Sequence, residues 1–408
     1  MRGGRVAVVG GSIAGCAFAS AAVRAGADEV QVLERTRGLL ADRGVGLCIH
    51  DDRAAELAAV GALPAGIAAH PLTRRRWVVR DPDAGPGGRL FWEQPFPFHS
   101  YHWGLLWGGL RDATPDRVAY RQGATVTAVA DGAAGGGQQA EVALADGGTE
   151  RYDLVVGADG YRSVVREAVC PGSRPQYAGY VCWRGNVDVR RLADAGVEHG
   201  PGDAVTTVCF PGGSCVVYRI PGPDGPRVNW VLYATPPRTG PLPFDDPTSF
   251  PPGRVTDELT AHLAELLESG FPPYWARILA LTERQNTHVQ PIYDLHTDRI
   301  ASGRLLLAGD AASVVRPHNT SGAAKALQDA SAFEAAWRGA GSWDGLLDGY
   351  RAARGAAGRE MVALARRLGR AQVERTPAWS DMDGAAAQAW WEGQLAGAAD
   401  IGGQAMTR

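Results

Sequence analysis

The chain has 408 residues, a formal charge of −3, 45% hydrophobic and 21% charged residues. That length gives two to three domains, and the balanced charge excludes a broad electrostatic footprint for nucleic acid or anionic membrane. No apolar run approaches the roughly 20 residues that span a bilayer, and the first strand leaves no room for a signal peptide, so a cytoplasmic location is the expectation.

Residues 5–11 are a short apolar run, followed by Ala/Gly-rich helical sequence over 13–26 and a second buried strand, "EVQVLER", at 29–35. Strand, glycine turn, helix and strand within about 30 residues make a βαβ unit. Gly10 makes the tight turn out of the strand and Gly15 lets the helix pack closely on the sheet. The slot between them needs a small residue so that backbone N–H groups reach a pyrophosphate. Ser12 fills it, flanked by Ile13 and Ala14, and its hydroxyl can donate to a phosphate oxygen. Glu34 ends the second strand, 19 residues after Gly15, where an acid accepts from an adenosine ribose and disfavours a 2′-phosphate on the nucleotide bound there. Arg35 follows it. The competing reading of Glu34 is a surface acid at a strand end.

Strand-like pieces "RRRWVVRD" and "GRLFWEQ" follow, then a helix over 101–113, a hairpin loop at 132–139, and a buried strand that delivers Asp159 into a turn before a helix. From 173 to about 285 the pattern is β-rich. "GRLLLAGDAASVV" then delivers Gly309-Asp310 in the same way, ahead of a helix over 321–337, more helical sequence at 345–373 and in the tail, and an end that reads as disordered. The six cysteines, Cys16, Cys48, Cys170, Cys182, Cys209 and Cys215, form no C-x-x-C and read as small buried hydrophobes; no metal site is expected. Lys325 is the only lysine, beside 40 arginines, a bias that points to a high-GC bacterial genome; it reads as a helix-surface residue.

Three strand ends bearing Gly10, Asp159 and Asp310 can meet at the carboxyl edge of one parallel sheet, where ligands of open α/β folds bind. NAD would not need an element 300 residues downstream of its first turn; FAD, with a ribityl chain and a three-ring flavin, would. At these residues the sequence resembles the single-component flavoprotein monooxygenases of the para-hydroxybenzoate hydroxylase type. The glycine turn with Glu34, the "GADG" segment and the "GDAA…P…G" segment match in order over roughly residues 4–345. "YVCWRG", "RVNWVLY" and "RPHNTSGAAKALQDA" resemble the 2,6-dihydroxypyridine hydroxylase branch. The family often opens an R-x-x-L-x-x-x-L helix with arginine; here that slot is Trp103, leaving Arg111 or Arg43 as candidates for the positive contact.

The resemblance implies an α/β fold, with a discontinuous Rossmann-like FAD-binding domain of the glutathione-reductase-2 type (1–72, 98–172, 286–345). It also implies an inserted β-sheet substrate domain (73–97, 173–285) and a C-terminal helical segment (346–408). It places Gly10, Ser12 and Gly15 on the pyrophosphate, Glu34 on the ribose, Asp310 on the ribityl hydroxyls, and Asp159 on both flavin and nicotinamide nucleotide. Gly309, Pro317, Asn319, Thr320 and Gly322 would surround the flavin at a helix N-terminus, which stabilises negative charge on the reduced ring. It further implies reduction by NADH or NADPH, dioxygen, a C4a-hydroperoxyflavin, and hydroxylation or epoxidation of a small aromatic or polyene substrate in a dry pocket, on a monomer or homodimer.

Trp183, Trp230, Tyr233, Pro317 and His318 are candidate pocket walls, the competing reading for the tryptophans being sheet core. His318 is the first candidate for a general base and His102 the second, against neutral structural roles for both. Arg184 either pairs with a carboxylate in the sheet or meets an acidic substrate. The alternatives are a non-oxygenating FAD oxidoreductase on the same fold, of prenyl-reductase or halogenase type, and a silent flavin-binding protein. The halogenase W-x-W-x-I-P segment is absent.

Overall fold

The computed structural model describes residues 3–40, 46–131, 139–197, 200–237, 255–398, 400–401 and 404–405. Two sheets organise it. The first has six strands in the spatial order Ala301–Ser302, Leu305–Leu307, Leu154–Gly157, Arg5–Val9, Glu29–Glu34, Val118–Gln122, all parallel except the first pair. Its central strands are apolar on both faces, as layers between helices must be. On one face the small side chains of helix Ile13–Ala25 let it pack against helix Gly322–Gly339.

The register of this sheet sets the level at which its strands end. Val9 is opposite both Leu33 and Gly157, and Gly157 is opposite Leu307. Four strands drawn from three distant parts of the chain therefore stop together, and Gly10, Glu34, Asp159 and Asp310 emerge along a common edge.

The second sheet has nine strands, ordered Ser313–Val314, Thr287–His296, Gln176–Asp188, Arg227–Ala234, Gly213–Ile220, Ala204–Phe210, His70–Val79, Arg89–His102, Gly46–His50. It extends past the substrate-domain limits expected from sequence, taking Gly46–His50, Thr287–His296 and Ser313–Val314 from stretches assigned to the FAD-binding domain. The insert is also not purely β: helices Asp257–Gly270 and Pro273–Ala280 cover one face of the sheet. Side chains alternate across a strand, so Trp183 and Trp230 enter that covered face while Cys182 and Tyr233 enter the other.

A third layer starts with helix Trp343–Gly369, which continues into a π-helical turn, Arg370–Glu374, before helix Gly384–Leu395. Trp77, Trp92, Trp379, Trp390 and Trp391 pack together where this layer meets the second sheet. No helix among the described residues is long and apolar enough to cross a membrane. The loop expected at 132–139 lies almost wholly outside the described residues, as does most of the tail beyond 398.

Candidate functional site

The glycine turn is dictated by crowding. Gly10 has φ +97°, and a Cβ there would lie 2.5 Å from the Ala158 carbonyl oxygen; a Cβ on Gly15 would overlap the Gly10 carbonyl oxygen. Ser12 is the N-cap of helix Ile13–Ala25, yet its hydroxyl makes no capping bond. The first intrahelical bond runs from the Cys16 amide to the Ser12 carbonyl, leaving the amides of Ile13, Ala14 and Gly15 without helical acceptors. A free hydroxyl above three free amides at a helix N-terminus is an anion site.

Glu34 is buried rather than a surface acid, and both its oxygens accept from backbone. Its Oε2 accepts from the Gly11 amide and its Oε1 from the Thr36 amide, both at 2.8 Å. The Gly11 carbonyl accepts from Trp107 Nε1 at 2.9 Å and from the Tyr120 hydroxyl at 2.8 Å. The Gly11 peptide is thus gripped on both sides, and Trp107 and Tyr120 were not legible as site residues. Arg111 stacks 4.1 Å over the Tyr120 ring, which puts its positive charge at the glycine-turn end. Arg35 is exposed beside Glu34, and Arg43 lies outside the described residues.

Asp159 and Gly309 close the edge. Asp159 Oδ2 accepts from the Val164 and Val165 amides at 2.7 and 3.3 Å, whereas its Oδ1 is buried with no partner. Burial raises its carboxyl pKa. Gly309 has φ +55°, and a Cβ on it would stand 3.1 Å from the Ala14 side chain, so the third motif sits directly on the first. Arg166, following the second motif, donates to the Ala311 carbonyl of the third at 3.3 Å. Asp310 is exposed at this edge, and its surroundings raise its carboxyl pKa chiefly by desolvation.

Lys325 corrects the surface expectation: it is 2% exposed. Its Nζ donates to the Gly309 carbonyl at 2.8 Å and to Asp329 Oδ2 at 2.9 Å, while the Gly309 amide donates to the same carboxylate at 3.0 Å. Arg354 completes the set by donating to Asp329 Oδ1 at 2.6 Å. The single lysine therefore holds the left-handed glycine before Asp310.

Downstream of Asp310, Pro317–Asn319 form one 3₁₀ turn and Thr320 takes φ +55°. Asn319 Nδ2 donates to the Met361 carbonyl at 3.3 Å, tying the turn to the third layer. Helix Gly322–Gly339 then starts with its first amides free of helical acceptors, and a Cβ on Gly322 would meet nothing within 4 Å. His318 is buried, its Nε2 is 2.8 Å from the Tyr180 hydroxyl, and its ring centroid is 4.2 Å from that of Tyr233. Burial, with Arg316 and Arg75 nearby, pushes its imidazole down to about 3. A ring held neutral and weakly basic is unsuited to the general-base role considered for it. Arg316 bonds Asp294 and Glu374, and its guanidinium carbon lies 5.5 Å from the Tyr180 ring.

The remaining candidates separate from this cluster. Trp183 and Trp230 are fully buried against helices Asp257–Gly270 and Pro273–Ala280, on the face of the sheet away from His318. Strand parity places them in core, and only Tyr233 of that trio stands beside His318. His102 caps helix Trp103–Asp112, its Nδ1 accepting from the Gly104 amide at 3.1 Å, with a pKa lowered by burial and by Arg227. Arg184 pairs with no carboxylate among the described residues; its Nε donates to Cys182 Sγ at 3.3 Å. All six cysteines are free, and no group of described residues could hold a metal ion.

These residues fit an FAD. A polar hydroxyl with free amides, an orphaned Asp159 oxygen, an open Asp310 and a second free helix N-terminus run along one sheet edge. The cofactor needs these in that order from pyrophosphate to flavin ring. The chain matches the FAD binding domain-like family over residues 177–294 and the FAD binding domain family over 257–365. It is 31% identical over 338 residues to 2,6-dihydroxypyridine 3-monooxygenase of Paenarthrobacter nicotinovorans, covering 80% of this chain and 81% of the other. The solved 2,6-dihydroxypyridine-3-hydroxylase from Arthrobacter nicotinovorans superposes with a TM-score of 0.77 at 26% identity, over 92% of this chain and 94% of that one. Klebsiella pneumoniae HpxO, complexed with FAD and uric acid, shares the fold. Its TM-score is 0.73 at 22% identity, over 96% of this chain and 92% of that one.

Proposed function

Because this chain belongs to the family of FAD-dependent monooxygenases, we propose that it hydroxylates a small electron-rich aromatic or heteroaromatic ring. The reaction inserts one atom of dioxygen into the substrate and releases the other as water, with NADH or NADPH as reductant. The observation that carries this reading is the level register of the strands preceding Gly10, Asp159 and Asp310. When bound, FAD supplies the two-electron redox chemistry and the activation of dioxygen.

The chain's own residues supply position, charge and dryness. Ser12 and the amides of Ile13, Ala14 and Gly15 hold the pyrophosphate, and Glu34 the ribose. Asp159 Oδ1 and Asp310 would accept from sugar-chain hydroxyls, which relieves two carboxylates that desolvation disfavours. The N-terminus of helix Gly322–Gly339 stabilises negative charge on the pyrimidine edge of the flavin. The wall at the ring end is Tyr180, Tyr233 and His318. His318 keeps its Nε2 on Tyr180, and we assign it to hydrogen bonding and orienting a substrate hydroxyl, without net proton transfer. An arginine of uncommitted charge, Arg184, faces the same side of the sheet and favours a substrate carrying an oxyanion.

The deciding measurement is turnover under labelled dioxygen with a panel of hydroxypyridines and hydroxybenzoates. Substrate-stimulated NAD(P)H oxidation with one labelled oxygen in the product is expected. Anaerobic turnover, or product free of label, would sink the proposal in favour of a non-oxygenating oxidoreductase on this fold.

A further inference from the structure

A concavity lies away from the sheet edge, between the end of helix Trp343–Gly369 and helix Gly384–Leu395. It encloses about 570 Å³ and is lined by Arg366, Arg367, Arg370, Arg375, Trp390 and Gln394, with no acidic side chain among its lining. Arg366 is committed to Asp294. Among the described residues, no carboxylate stands within ion-pair distance of Arg367, Arg370 or Arg375, and Arg367 Nε is buried with no partner. Elsewhere on the molecule arginines pair with acids, as Arg24 does with Glu334, or donate to backbone carbonyls, as Arg117 does to Val23. Three guanidiniums left together without a counter-charge call for an anion.

The groove is built on the π-helical turn. The Arg375 amide bonds the Arg370 carbonyl at 2.7 Å, and this widened turn brings both arginines to the groove. Such turns recur at functional sites. The inner side of the same turn belongs to the ring pocket: Val373 packs in the cluster of Tyr180, Cys182 and Tyr233, and a Cβ on Gly369 would lie 2.5 Å from the Tyr180 hydroxyl. One thickness of helix separates the arginines from the wall around His318.

Guanidinium forks match phosphate oxygens bidentately, and the half-buried Trp390 offers an aromatic face to a base. Glu34 and the glycine turn are taken by the FAD, and no second glycine-rich nucleotide turn occurs in the sequence. We propose that this groove binds the adenosine-phosphate half of the nicotinamide dinucleotide, with the guanidiniums on its phosphates and Trp390 against its adenine. Three uncommitted positive charges suit the extra 2′-phosphate of NADPH. The inference rests on the monooxygenase reading, which is what requires the nucleotide.

The test uses FAD-loaded enzyme and 2′,5′-ADP as probe. Calorimetric titration compares the wild type with Arg367→Ala/Arg370→Ala and with Trp390→Leu, and stopped-flow reduction by NADPH follows the flavin. The double variant is expected to bind 2′,5′-ADP at least tenfold more weakly and to show a similar rise in the NADPH concentration for half-maximal reduction. Its limiting reduction rate, flavin content and thermal midpoint should be unchanged. Affinity for 2′,5′-ADP within twofold of wild type would overturn the site, as would pyrophosphate binding equal to 2′,5′-ADP with no effect of Trp390→Leu, which would mark an adventitious anion site. Normal reduction by NADPH with an unshifted double variant removes the groove and spares the monooxygenase reading. A flavin that neither NADPH nor NADH reduces removes both.

Discussion

At the scale of single residues, the slot at Ser12 decides how tightly phosphate approaches. Its hydroxyl is free of the cap role that serines at this position usually take. Replacing it with valine removes the donor and sets a branched side chain above the three free amides. We expect Ser12→Val to purify with less flavin, read from the ratio of flavin to protein absorbance; full flavin content would place the pyrophosphate elsewhere. His318 makes a different prediction. Its pKa falls from 6.5 to about 3 on folding, so between those values the unfolded chain binds a proton that the folded one refuses. Stability is therefore lost as pH drops from about 6.5 toward 3, by up to ~4 kcal/mol from this group. Urea titrations at pH 7 and pH 4 should show a smaller difference for His318→Gln than for the wild type.

At the scale of elements, the strand-to-helix turn is so compact that one methyl group disrupts it. Gly15→Ala pushes a Cβ into the Gly10 carbonyl, backbone that has nowhere to retreat because the Gly10 amide is bonded to Leu33. A loss of about 3 kcal/mol or more is expected, visible as a lower thermal midpoint together with poor flavin retention. This turn was legible because its spacing and small residues announce their purpose. Helices Asp257–Gly270 and Pro273–Ala280 were missed although their signals were present: Thr256 caps the first, Asp257 and Glu258 follow in its first turn, and Pro273 opens the second. Trp183 and Trp230 take their sheet-core reading rather than the pocket-wall one. The register between their strands makes them face the same way, and which face is covered by helices is a property of the whole insert. Lys325 had a readable partner four residues on, Asp329, yet its burial depends on Gly309, which only the assembled sheet brings near.

At the scale of the molecule, a cofactor site is a region that the empty protein holds at some expense of stability. Desolvation raises the carboxyl pKa of Asp310, so the stability it contributes is present below its ordinary pKa and lost as pH rises through its folded value. At neutral pH the apoprotein carries that penalty. Asp310→Asn should make the flavin-free protein more stable at pH 7, by about 1 kcal/mol or less given its exposure, while weakening FAD binding. Thermal midpoints of apo and FAD-loaded protein should move in opposite directions; parallel shifts would deny Asp310 a place on the cofactor. The general layout could be read from sequence because strand-end motifs carry their chemistry with them. The grip of Trp107 and Tyr120 on Gly11 could not, since Trp107 fills an unspecified slot of its helix motif, Tyr120 stands in none, and both reach the turn only through long-range packing.

The level edge of the first sheet also sets a clock. Arg5–Val9 leaves the ribosome some 300 residues before Leu305–Leu307, with which it shares the sheet through Leu154–Gly157. At ribosomal elongation rates that interval is roughly 15–60 s. During it the glycine turn exists without Gly309 to press on Ala14, and the apolar edge of Leu154–Gly157 lacks its outer neighbour. For that time the strand stays open on one side, and the flavin cradle is complete only once Leu305–Leu307 and Gly309 have been made.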